Sequence, residues 1–78
     1  MQVSFIIAGL PEGENGFTCE MDSVPRDGDM IRLERDFKET EHFVDDVIWE
    51  IRTYAGVGVR PSAMVWVYLS VNFKKETV

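Results

Sequence analysis

The run from Val24 to Ile51 restricts the fold of this chain more than any other stretch. It opens on Val24-Pro25-Arg26-Asp27-Gly28-Asp29, where the proline presets φ and the glycine is free to take a positive φ, the make-up of a tight turn. Met30 to Arg35 then alternates in polarity and reads as a short strand with Ile31 and Leu33 inward. After a polar stretch comes His42-Phe43-Val44-Asp45-Asp46-Val47-Ile48-Trp49-Glu50-Ile51, a long apolar segment broken by two aspartates. Turn, strand, turn and longer segment in this order suggest a small β-barrel.

The flanking segments are read the same way. Gln2 to Ala8 is a β-type run with Val3, Phe5 and Ile7 on one face. Gly9 to Gly16 is a loop, because three glycines, a proline and an asparagine interrupt regular structure. Phe17 to Val24 sets Phe17, Cys19 and Met21 against Thr18, Glu20 and Asp22, which predicts a strand with one wet face. Val57 to Ser62 reads as a loop. Ala63 to Phe73 is the clearest strand, with Val65, Val67, Leu69 and Val71 facing one way and Met64, Trp66, Tyr68, Ser70 and Asn72 the other. The tail from Lys74 to Val78 is polar.

Residues 40 to 55 satisfy two periods. As a helix, Phe43, Val44, Val47, Ile48, Ile51, Tyr54 and Ala55 form one stripe, with Thr40 as an N-cap and Gly56 as a stop. Periodicity alone favours that helix. The β-branched and aromatic content favours a strand, in which a bulge near Asp45-Asp46 would let Val44 and Val47 both point inward.

Seventy-eight residues make one domain, and folding at this size buries only about 60–65% of the unfolded chain's surface. The 45% hydrophobic content suffices for one core. The single cysteine, Cys19, rules out an intramolecular disulfide, Met1 to Leu10 carries no Lys or Arg, and no apolar run reaches membrane-spanning length. A cytoplasmic, reducing compartment is therefore expected. The net charge of −6 is uneven: residues 12 to 50 hold thirteen acids against four bases, while residues 51 to 78 carry +3. An acidic surface repels phosphate, so direct nucleic-acid binding is not expected, nor is a membrane.

The spacing Pro25-Arg26-x-Gly28-Asp29-x-Ile31-x-Leu33, then Val44-x-x-Val47-x-Trp49, then Val65-x-Val67-x-Leu69, resembles small uncharacterised SH3-like β-barrel proteins of bacterial and phage genomes. His42 stands where that pattern has an aromatic, and Phe43 follows it. The resemblance covers about two-thirds of the chain and turns residues 40 to 52 from helix to strand. It implies an all-β fold, mostly antiparallel, in a small SH3-like barrel of about five strands, with an α+β fold helical over residues 40–55 as the alternative. It implies no activity, because a shared fold does not establish function.

Catalytic and metal-binding signatures are thin. Cys19, beside Phe17 and Met21, reads as a buried core thiol, and His42, among Glu39, Glu41, Asp45 and Asp46, as a surface histidine. The aspartates fall in no EF-hand spacing, one His and one Cys do not make a zinc site, and the glycines match no phosphate loop. No enzyme, cofactor or metal is expected. The expected function is a non-catalytic protein-interaction module, in the setting of a phage or mobile-element accessory protein that binds a host factor. Its surface would combine Asp36, Glu39, Glu41, Asp45, Asp46 and Glu50 with Trp66 and Tyr68, and such an acidic surface would also imitate the charge of DNA. The alternatives are a homo-oligomeric assembly protein and a small-ligand binder that uses His42.

Overall fold

The computed structural model describes residues 1–53, 56, 58 and 61–74. Among these the chain forms five strands and no helix: β1 (Gln2–Ile7), β2 (Gly16–Glu20), β3 (Met30–Arg35), β4 (Lys38–Arg52) and β5 (Ser62–Leu69). They lie in one sheet in the order β2-β1-β5-β4-β3. Strands β1 and β5 run parallel, and the other three pairings are antiparallel. The sheet curls into a half-barrel, consistent with a small SH3-like barrel. Arg35, at the end of β3, reaches towards the opposite edge and donates from Nη1 to the Glu14 carbonyl at 2.7 Å. The same guanidinium lies 5.1 Å from the ring centroid of Phe17 on β2.

The inward face holds the core. Val3, Phe5 and Ile7 of β1, Val44 of β4 and Val65, Val67 and Leu69 of β5 are buried, with Phe17, Met21, Val24, Ile31, Leu33 and Val47 packed against them. Phe5 and Phe17 sit directly opposite each other across β1 and β2 and stack at 4.8 Å. Such cross-strand aromatic pairs stabilise a sheet edge beyond their buried area.

Strand β4 resolves the two-period segment. Val44 pairs with Leu69 and Asp46 with Tyr68, so Asp45 is an extra residue in the ladder, a β-bulge. The bulge reverses the strand's parity, which is why Val44 and Val47 both face inward. The three-residue spacing that mimicked a helical stripe is thus two strand runs out of phase. Tyr54 and Ala55, the end of the expected stripe, and Val57, Val59 and Arg60 of the expected loop lie outside the described residues, as do residues 75–78; Ser62, expected in that loop, opens β5 instead.

The turn before β3 forms as the sequence predicts. Asp29 N–H donates to the Arg26 carbonyl at 3.0 Å, the Asp29 carboxylate accepts from Arg26 N–H at 2.8 Å, and Gly28 has φ 89°. The turn then docks on β4 through Gly28 N–H to the Val44 carbonyl and Val44 N–H to the Asp29 carbonyl, both 2.8 Å.

Two strand expectations are shortened. The strand expected over Phe17 to Val24 ends at Glu20. The strand expected to reach Phe73 ends at Leu69, and Val71 is 57% exposed rather than part of the core. Side chains take over the ladder there: Phe43 N–H donates to Ser70 Oγ at 2.9 Å, and Glu41 N–H donates to Asn72 Oδ1 at 3.0 Å. A side-chain acceptor in place of a carbonyl lets the backbone leave the sheet without orphaning β4's amides.

The β3–β4 hairpin turns on two residues with positive φ, Asp36 (49°) and Phe37 (65°). This geometry favours Asn-Gly, and a bulky residue there costs about 1–2 kcal/mol. Phe37 is fully exposed and offsets none of that cost by burial. Glycine would relieve the strain but add chain entropy to the unfolded state, roughly 0.5–1 kcal/mol in the other direction. Phe37→Gly is therefore expected to stabilise the fold by about 0.5–1 kcal/mol, read as a higher urea midpoint with an unchanged m value. A lower midpoint would show that Phe37 makes contacts that outweigh its strain.

Candidate functional site

The residues expected to form the site lie mainly along β4 and β5. The side chains of β4 that face away from the core include Glu39, Glu41, Phe43, Ile48 and Glu50, with Asp45 and Asp46 at the bulge. At about 3.3 Å per residue, Glu39 to Glu50 extends over roughly 35 Å of strand, so the acids form a row rather than a patch. Part of that row is compensated. Arg32 lies 3.2 Å from Glu39 and 3.7 Å from Glu41, and Lys74 lies 3.0 Å from Glu39. Glu50 accepts from Arg52 Nε at 2.8 Å. Asp36 sits apart, in the β3–β4 turn.

Trp66 and Tyr68 lie on the same convex face and are half-buried. Trp66 is flanked by Ser4 and Ile48, and Tyr68 by Ile6 and Asp46. The first strand thus borders both rings. The expected acidic and aromatic residues meet at one place, where Tyr68 and Trp66 pass Asp46 and Ile48.

The sequence reading missed the arm beyond that point. The parallel pairing of β1 with β5 begins at Val65, so the pairs Glu50–Met64, Ile51–Ala63 and Arg52–Ser62 extend past β1 as a two-stranded ribbon. Strand β3 pairs only with residues 38–43 of β4, which leaves the opposite edge of β4 without a strand along the arm. Ile48 and Trp49 at the base of the arm, and Ile51 and Met64 on it, are exposed by 38–66%, distributed over both faces. An isolated two-stranded ribbon is marginal in water, and here apolar side chains on both faces remain exposed. The signal was present in the run Val47-Ile48-Trp49-Glu50-Ile51, whose apolar residues occupy both parities of a strand.

His42 and Cys19 correct two expectations. His42 is not a surface residue: it is 2% exposed. It precedes Val44 by two positions and so shares its inward face, while the neighbouring acids alternate outward. Its Nδ1 lies 2.8 Å from the Ser70 carbonyl and its Nε2 lies 2.8 Å from Thr40 Oγ1. A carbonyl only accepts, so Nδ1 carries the hydrogen, and in the neutral ring Nε2 accepts from the Thr40 hydroxyl. Cys19 is exposed rather than buried. It faces inward opposite Val3 but lies on the short edge strand β2, where the half-barrel does not close over it.

His42 and Thr40 line a cavity of about 550 Å³ at the end of the half-barrel away from the arm. Ile7, Leu10, Leu33 and Val71 supply its apolar wall, and Arg35, Asp36 and Lys38 its charged groups. Among the described residues no three His, Cys, Asp or Glu side chains are grouped to hold a metal ion, and no helix is long and apolar enough to cross a membrane. The chain matches no protein-family model, no curated protein and no solved structure at a significant level.

Proposed function

We propose that this protein is a non-catalytic interaction module that binds a partner protein through the β4–β5 arm and the adjoining convex face. The observation that carries this reading is the exposure of Ile48, Trp49, Ile51 and Met64 on both faces of the sheet, where β4 and β5 reach the end of β1 and continue past it as the arm. Trp66 and Tyr68 extend the surface onto the barrel, and Asp45, Asp46 and Glu50 border it. Large aromatic residues in an apolar centre are the usual anchors of protein interfaces.

Charge favours a different protein over a second copy. Two chains of net charge −6 repel, and the bulge with its paired aspartates blunts the open edge of β4 against like-charged strands. The partner that fits has an apolar centre rimmed by Lys or Arg. Imitation of DNA is less favoured, because Arg32, Lys74 and Arg52 interrupt the acidic row. In the setting that the sequence resemblance implies, the partner is a host factor bound by a phage or mobile-element accessory protein in the cytoplasm.

The test is a nuclease-treated affinity capture followed by titration of the purified partner. Trp49→Ala is expected to weaken binding about 30-fold or more, as loss of a central anchor does. Asp45→Lys with Asp46→Lys is expected to weaken it and to abolish its salt dependence. Partner affinity unchanged in both variants would overturn the reading. A protein that runs alone as a stable dimer or ring by light scattering, and as a monomer once Trp49 is replaced, would assign the arm to self-assembly instead.

A further inference from the structure

We propose that the cavity at the opposite end of the half-barrel is a binding site for a small amphipathic carboxylate, an apolar body carrying one negative charge. Its volume of about 550 Å³ falls within the roughly 300–1,000 Å³ range of small-molecule sites. Its wall is mainly apolar, from Ile7, Leu10, Leu33 and Val71, and a few polar groups converge on it. That is the make-up of a site that takes an apolar body and orients one polar end.

The charge of the ligand follows from Arg35. Its guanidinium is held by the Glu14 carbonyl at 2.7 Å and by the face of Phe17 at 5.1 Å, and among the described residues no carboxylate pairs with it. Only one of its five N–H donors is occupied by that carbonyl, so the planar fork remains able to receive a carboxylate. Both contacts also fix the side chain, so ordering it on binding costs little. Arg35 thus brings a positive charge to this cavity in a chain of net charge −6.

Thr40 supplies a second polar contact. In the neutral state of His42 its hydroxyl hydrogen is committed to Nε2, so its oxygen is left as an acceptor in the cavity wall. The buried His42 is anchored in turn by the Ser70 carbonyl, which keeps Thr40 in one orientation. The site would therefore accept a carboxylate at Arg35 and a hydroxyl or amide N–H of the ligand body at Thr40.

The experiment uses the whole chain and two probes of equal length, octanoate and octan-1-ol, followed by amide chemical shifts in NMR titrations. Octanoate is expected to bind saturably with a Kd of about 1 mM or tighter, within reach of a ligand of this size. The shifts should centre on Leu33, Arg35, Thr40, His42 and Val71. Octan-1-ol and the Arg35→Met variant should each show binding at least about tenfold weaker, the loss expected for a charge-assisted pair. Val71→Trp adds bulk at the mouth from an exposed position and should abolish binding in a protein that still folds. It keeps the proposal testable if Arg35→Met loosens the half-barrel. Equal binding of the two probes, no saturable shift below 10 mM (about the weakest affinity of interest for such a ligand), or shifts confined to the β4–β5 arm would overturn the proposal.

Discussion

Leu69→Ala is expected to cost about 3 kcal/mol of folding stability. Leu69 is fully buried at the end of the central strand, between Ile7 of β1 and Val44 of β4. Removing three carbons there forfeits their transfer energy and leaves a cavity that neighbours on two strands cannot collapse into, a change that costs about 2–5 kcal/mol in well-packed cores. A chain of this length has a total stability of roughly 4–12 kcal/mol, so the loss is a large part of the whole. In a domain this small it should lower the melting temperature by about 12–24 °C. Val71→Ala is the informative control. It lies two residues on, at the position the alternating pattern assigns to the same face, yet its side chain is exposed. Its expected cost is under about 1 kcal/mol. Equal losses at the two positions would mean that β5 continues as a core strand past Leu69.

His42→Ala is expected to cost a similar amount, about 3 kcal/mol, for two separate reasons. It removes a buried ring, and it strands the Ser70 carbonyl and leaves the Thr40 hydroxyl only the Leu33 carbonyl at 3.5 Å. Each loss contributes about 1–3 kcal/mol. The adjoining cavity admits water to this end of the barrel, which keeps the sum towards its lower limit. His42→Phe separates the two causes. It refills the volume without replacing either hydrogen bond and should cost only about 1–2 kcal/mol. Chemical denaturation of the two variants side by side gives the comparison. If phenylalanine proved as costly as alanine, the hydrogen-bonded chain from Thr40 through His42 to Ser70, rather than ring packing, would be what holds this end of β4.

The two predictions fall on residues that the sequence reveals unequally. Leu69 belongs to an alternating run whose period matches one strand, and its burial is legible without any tertiary information. His42 is surrounded in sequence by Glu39, Glu41, Asp45 and Asp46, which suggests a solvated position. Only the strand assignment separates it from them, since a two-residue period sends Glu41 and His42 to opposite faces. The same rule that buries His42 fails at Cys19. Both face inward, but an inward direction buries a side chain only where another part of the sheet curls over it. Edge position in the sheet is a property of strand order, and strand order depends on contacts far apart in the chain.

Local chemistry alone determined the turn at Pro25–Asp29, the inward sets Val3–Phe5–Ile7 and Val65–Val67–Leu69, and the option of a bulge at Asp45–Asp46 that reconciles Val44 with Val47. These features rest on interactions between residues near in sequence or on a period that one strand expresses by itself. Tertiary structure decided the rest. It placed β5 parallel to β1, carried β4 and β5 beyond their neighbours as an arm, and set Arg35 between Glu14 and Phe17 beside the end cavity. Those outcomes depend on which strands become neighbours and where each pairing stops, which no local period encodes.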